Sequence, residues 1–421
     1  MKILIHGLNF SPELVGIGKY TGDLVQSLVK KGHHVTVVAA PPYYPQWQIH
    51  PGFSGSHYQT EILGDLKIIR CPLWVPRRVS GLKRILHLLS FSLSSSPVVR
   101  REARHKPDLI LSIAPALLAA PASASAGKRW KIPTWLHIQD FEIDAALDLG
   151  IVMNRSLVRS SAIGFEKRVY RKFDRVSSIS NKMVERLIEK GVPREKTFLF
   201  PNWVDTSEIF PLRNTNSFRQ SLWFKNKEVV VLYSGSMGAK QGLEIIIECA
   251  RLLQKNERIQ FVICGDGPAK SQLVRTATGL SNVHFLPIQP AEKLNELLNM
   301  ADIHILPQKK GATDLVMPSK LLGALASGKP VIAGCLEGSE LYQVVSQVGV
   351  TVAPEDPSSL AAAILALATN LARRTKLGER GREFVARHFS KSVIIDRFIS
   401  EMEYICNKDW ETRRGYPKAS L

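Results

Sequence analysis

Several groups able to hold a phosphate or move a proton fall just after apolar, strand-like runs. The run Thr134-Trp135-Leu136-His137-Ile138 leads into a polar stretch that carries Asp140 and Glu142. At the carboxyl end of a strand, His137 can donate to a hydroxyl or stabilise charge on a departing phosphate. Asp140 or Glu142 there can orient an attacking hydroxyl as a weak base. For His137 the plain alternative is a histidine satisfied inside the fold.

Two glycine turns fit a phosphate. The first run, 2–8, feeds a loop holding Gly16 and Gly18 before a helical pattern, so backbone N–H groups and a helix N-terminus can approach an anion closely. A dinucleotide fingerprint fits badly. Thr21 stands where its third glycine belongs, and the second run ends Ala39-Ala40-Pro41 without an acid for a ribose. Glycines serving turn shape alone remain the alternative. The run 228–235 repeats the device with Gly235, Ser236 and then Lys240 before a helix, where a lysine can neutralise a diphosphate as a point charge. Within 309–334, Pro318 suits a first helical turn that leaves Ser319 and Lys320 near its donors. Asp314 lies in the preceding loop, placed for a sugar or ribose hydroxyl or for simple turn capping.

Residues 77–106 are different in kind. Arg77, Arg78, Lys83 and Arg84 precede an apolar stretch, and Arg100, Arg101, Arg104 and Lys106 follow it, with Glu102 as the single acid. Leu82, Ile85, Leu86, Leu89 and Leu93 recur at helical spacing and form one stripe that Pro97 is expected to end. A basic amphipathic helix predicts docking on an anionic membrane, and a core helix with solvated charges is the competing reading.

The elements that must position these groups alternate in type. Strand-like runs at 2–8, 34–40, 108–114, 134–138 and 175–180 are separated by helical patterns, and the order predicts parallel sheets covered on both faces. The pattern breaks near 204–228 and then restarts, which predicts an α/β protein of two doubly wound, Rossmann-like domains: 1–203, 204–389, and a final stretch 390–421 that could return to the first domain. At 421 residues the chain exceeds one ordinary core, and 45% hydrophobic with 22% charged residues excludes wholesale disorder. The net charge of +19 is concentrated in residues 1–200, with 29 basic and 15 acidic side chains. That excess calls for a polyanionic partner: anionic lipid, a phosphorylated substrate, or nucleic acid. No nucleic-acid motif is present, so a nucleic-acid-binding module is the weaker, non-enzyme reading. Five scattered cysteines without a CxxC pair argue against a disulfide framework or zinc site. With no signal-peptide pattern and no membrane-spanning run, the expected place is the cytoplasm, peripherally on the membrane.

In order along the chain, the SPELVGIGKYT loop, PNWVDTSEIFP, YSGSMGAKQGLE, CGDGP and PSKLLGALASGKPVIAG resemble the family-4 retaining glycosyltransferases of GT-B fold. HIQDFEIDAALDLG and TDLVMPSKLLGALASGKPV further resemble enzymes of bacterial exopolysaccharide, colanic acid, assembly and related fucosaminyltransferases. The resemblance implies two domains facing a cleft and a sugar moved from a nucleotide diphosphate to a lipid-linked saccharide. It suggests GDP-fucose as donor, with a UDP-sugar of the N-acetylated fucosamine type, or a sugar-nucleotide epimerase of the same fold, as alternatives. It places Gly16, Gly18 and Lys240 at the diphosphate and His137 beside the transferred sugar. Ser236 stands where the family usually has arginine, and its paired glutamates fall on Leu315 and Gly323. Asp314, Ser319 and Lys320 are therefore expected to make the sugar and ribose contacts. Neither a cofactor nor a metal is expected.

Overall fold

The computed structural model describes residues 1–13, 16–78, 80–144, 156–212, 216–225, 227–238, 241–310 and 318–413. The chain divides into two units, Met1–Phe200 with Ile395–Leu421 and Pro201–Ile394.

The first unit is built on β1 (Lys2–Gly7), β2 (His34–Ala39), β3 (Gln59–Leu63), β4 (Leu66–Arg70), β5 (Leu109–Ala114), β6 (Thr134–Ile138), β7 (Arg175–Ser178) and β8 (Thr197–Leu199). They lie in the order β3-β4-β2-β1-β5-β6-β7-β8, parallel except for β3 against β4. Central β1 pairs with β2 on one side and β5 on the other, so the chain order reverses there. In such sheets the crevice outside the carboxyl ends at the reversal is where ligands sit. From Ile3 to Gly7 consecutive residues of β1 are buried because both faces are covered: Leu4, Val38 and Ile110 pack on Phe91, Val98 and Val99, while Ile3, Ile5, Val35 and Val37 are buried on the alternate positions.

Helix Gly81–Ala103 runs through Pro97 and does not stop there. A proline inside a helix removes one hydrogen bond and costs about 3 kcal/mol. Here Val98, Val99 and Ala103 follow it directly into the core, and that burial outweighs the break. The β3–β4 hairpin was not apparent in the apolar pattern. Its edge strand, Gln59–Leu63, is mostly exposed and shows no buried face to detect.

The second unit holds β9 (Val229–Ser234), β10 (Ile259–Cys264), β11 (Val283–Leu286), β12 (Ile303–Leu306), β13 (Val331–Gly334) and β14 (Val350–Val352), all parallel, in the order β11-β10-β9-β12-β13-β14. Val229, Val231 and Tyr233 face one apolar cluster, and Val230 and Leu232 face another. The order reverses again, between β9 and β12. Helix Lys391–Arg413 begins in this unit, and its residues from Ile395 onward belong to the first. There Phe398 packs 4.4 Å from the Phe200 ring and 4.7 Å from Trp135. All five cysteines are free.

Candidate functional site

In the first unit a cavity of about 190 Å³ opens at the chain reversal, lined among others by Asn9 after β1, Pro115 after β5, and Asp140 and Glu142 after β6. Gly16, Tyr43, Trp47, Arg84 and His87 complete its wall. Asp140 is exposed there. Glu142 accepts the Leu117 N–H at 2.7 Å. Burial raises the pKa of the Glu142 carboxyl, against the backbone N–H groups of Leu117 and Ala116 and the Arg84 charge. Ala116 holds its turn at φ 93° and Trp47 adopts φ 55°, conformations rare without glycine and concentrated where surroundings enforce them.

Gly16 (φ +60°) lines the cavity, but the structure gives Gly18 a packing role. A Cβ there would lie 2.5 Å from Oε2 of Glu13. That buried carboxylate accepts Asn9 Nδ2 at 2.9 Å and the N–H groups of Tyr43 and Tyr44 at 3.1 Å, tying the loop after β1 to the loop after β2. Glu13, Asn9, Tyr43, Trp47 and His87 escaped the sequence reading. The available signal was the aromatic and proline-rich PPYYPQW just beyond β2, a composition suited to a rigid pocket wall.

The structure buries His137. Its side chain is 3% exposed, Nδ1 lies 2.9 Å from Ser177 Oγ, and its ring packs 4.9 Å from Phe200. Burial lowers its pKa to about 3. The ring lies inside the sheet with Nδ1 on Ser177, and it is not among the residues lining the cavity that holds Asp140. Every residue of β6 is buried, so His137 within the strand is enclosed, whereas Asp140 lies beyond the last strand residue.

Helix Gly81–Ala103 presents two faces. His87, Phe91, Ser95, Val98 and Val99 are buried, while Leu82 (70%), Leu86 (46%) and Leu93 (75%) are exposed along the predicted stripe, with Ile85 and Leu89. Arg77, Arg78, Lys83 and Arg100 are exposed beside it. Arg84 departs from that group: it is half-buried and turned to the cavity. The nearby His87 Nδ1 lies 2.7 Å from the carbonyl of Trp74, itself exposed at the helix edge.

In the second unit the turns after β9 and β10 touch through their backbones. A Cβ on Gly265 would lie 2.0 Å from the Gly235 carbonyl oxygen, and one on Gly267 2.6 Å from that of Met237. Only glycine allows this backbone approach, and the Lys320 side chain lies against Gly235 at the carboxyl end of β9. Ser236 is exposed in this turn. Ser319 and Lys320 open helix Ser319–Ala326, which follows β12, so they stand at the reversal between β9 and β12. Lys320 Nζ lies 2.7 Å from Tyr233 Oη and 4.5 Å from that ring's centre. Lys240 and Asp314 lie outside the described residues, as does Leu315.

Comparison with known proteins gives two family models in tandem. A glycosyl transferase 4-like domain matches residues 15–203, and glycosyl transferases group 1 matches residues 214–384. A protein of Escherichia coli K12 named "Putative colanic acid biosynthesis glycosyl transferase WcaI" is 39% identical over 96% of this chain and 100% of its own length. Among solved structures, sucrose-phosphate synthase from Thermosynechococcus elongatus superposes with a TM-score of 0.74 at 18% identity, covering 96% of this chain and 98% of that one. HepE of Anabaena, solved with UDP and glucose, reaches 0.65 at 16% identity over 96% and 100%. With two parallel α/β sheets, both family models in sequence and a relative matched along its whole length, this chain belongs to the glycosyltransferases and has the GT-B fold.

Proposed function

We propose that the enzyme moves a sugar, with retention, from a nucleotide diphosphate to a lipid-linked saccharide during assembly of a colanic-acid-like exopolysaccharide. GDP-fucose is the proposed donor. The carrying observation is the unbroken match to the colanic acid relative, 39% identical over all of that protein. A UDP-sugar donor is the second reading, favoured by the UDP held in HepE. The donor diphosphate would lie at the glycine turns after β9 and β10. The acceptor hydroxyl would enter the first unit's cavity, whose wall offers His87 Nε2 and Glu142 Oε1, both without a hydrogen-bond partner among the described residues. Unpaired buried polar atoms favour a ligand rich in hydroxyl groups, which both donate and accept. Asp140 would take the acceptor's proton as its oxygen bonds the anomeric carbon and the bond to the diphosphate breaks.

Transfer from GDP-fucose and from UDP-sugars to a lipid-linked acceptor, with and without EDTA, tests this reading. Among the described residues no group of three or more His, Cys, Asp or Glu could hold a metal. We expect transfer from GDP-fucose to persist in chelator at close to its normal rate. Loss of transfer restored by magnesium or manganese would overturn the metal-free reading, and turnover of UDP-sugars alone would overturn the donor.

Among the described residues, no helix is long and apolar enough to cross a membrane. The proposed location is the cytoplasmic membrane face, docked through helix Gly81–Ala103. The exposed stripe of Leu82, Leu86 and Leu93 would enter the interface while Arg77, Arg78, Lys83 and Arg100 meet anionic headgroups. Each such charge contributes about 1 kcal/mol, screened over ~10 Å at 0.1 M salt. Reversing those four to glutamate should release the folded protein from anionic vesicles and slow transfer to a lipid-linked acceptor while sparing a soluble analogue. Unchanged vesicle binding would show that the stripe serves another contact.

A further inference from the structure

We infer that Lys320 takes part in neutralising the diphosphate of the donor in the second unit, together with the Lys240 that the family resemblance places there, an assignment that rests on the nucleotide-sugar reading above. Lys320 belongs to the helix after β12, yet its ammonium reaches the mouth of β9: Nζ would lie 3.0 Å from a Cβ built on Gly235. Tyr233 fixes it in that position, accepting its proton at 2.7 Å and donating in turn to the Ser236 carbonyl at 2.6 Å. The ammonium thus lies against the turn of Gly235, whose backbone touches that of Gly265, at the chain reversal where an α/β sheet takes its ligand.

Among the described residues no carboxylate pairs with Lys320, and burial alone lowers its pKa to about 8. This chain treats another buried lysine differently: Lys190 meets Asp144 at 2.7 Å and Glu166 at 2.6 Å. A half-buried cation held by a tyrosine hydroxyl, with no acid paired to it among the described residues, is suited to an anion from outside at this glycine-lined strand end. A phosphate approaching there would find a compact positive charge and room for its oxygens.

The test is calorimetric titration of the full-length enzyme with GDP, UDP, their monophosphates and nucleosides. Lys320→Met should weaken the preferred diphosphate about 10- to 100-fold while changing its nucleoside by less than about threefold. In the unaltered enzyme, diphosphate affinity should fall as pH rises through about 8, because the ammonium loses its proton. Lys320→Arg, which stays charged, should retain binding and flatten that profile. Equal losses for diphosphate and nucleoside, or a pH profile unchanged in Lys320→Arg, would overturn the assignment while leaving the donor reading intact. Failure of the unaltered enzyme to bind any nucleoside diphosphate would overturn both.

Discussion

Lys190→Ala is expected to destabilise the first unit by about 3–5 kcal/mol, the loss that follows when one partner of a buried ion pair is removed. Lys190 is 7% exposed at its side chain and bridges Asp144 at 2.7 Å and Glu166 at 2.6 Å, the latter fully buried. Tyr170 donates to the other Glu166 oxygen at 2.7 Å, and the ammonium lies 5.2 Å from the Phe141 ring. Without Lys190, Glu166 keeps one hydrogen bond and no countercharge. The double variant Lys190→Met with Glu166→Leu should recover most of the loss, since an apolar pair of similar volume avoids the uncompensated carboxylate. Urea unfolding followed in the first unit measures both. A loss below about 1 kcal/mol for the single variant, or no recovery in the double, would refute the account. The network also has a functional side. Asp144 is two residues beyond Glu142, so Lys190 pins the segment that carries the cavity's carboxylates to helix Asn181–Glu189.

The strands of both sheets were legible where both faces are buried, because continuous apolar runs such as Val229-Val230-Val231-Leu232-Tyr233 have no other use in a soluble domain. The edge hairpin was not, since Gln59–Leu63 buries no face. The glycines of the second unit showed in the sequence as a turn, but their reason did not. That the Gly235 and Gly265 backbones touch is a contact between residues thirty apart in sequence. The neighbourhood of the proposed acceptor cavity was legible to within a few residues only. His137 and Asp140 stand three apart, and the end of β6 between them puts one in the core and the other in the cavity. Arg84 was taken with the surface charges because helical spacing alone does not say which flank of the stripe meets a pocket. Glu13 gave no signal at all; its value lies in three hydrogen bonds that join two loops.

The same contrast sets the largest expected effect on activity. Asp140→Asn should lower the rate of transfer by about 10²–10⁴-fold, the usual contribution of a positioned acid or base, with nucleotide affinity unchanged. Asp140 is the better base of the two cavity carboxylates. It is exposed, whereas Glu142 is committed to the Leu117 N–H at 2.7 Å and burial raises its pKa, which favours its protonated form. Glu142→Gln keeps an oxygen for Leu117 and should therefore cost less than Asp140→Asn. His137→Asn preserves a polar partner for Ser177 in the core, so its losses should appear in thermal stability, with the rate per folded molecule within about tenfold of the unaltered enzyme. Steady-state transfer rates, corrected for folded fraction and paired with donor titrations, separate these outcomes. If Asp140→Asn keeps more than a tenth of the activity, or His137→Asn loses as much as Asp140→Asn at equal folded fraction, the proton is taken elsewhere and the carboxylate only shapes the cavity.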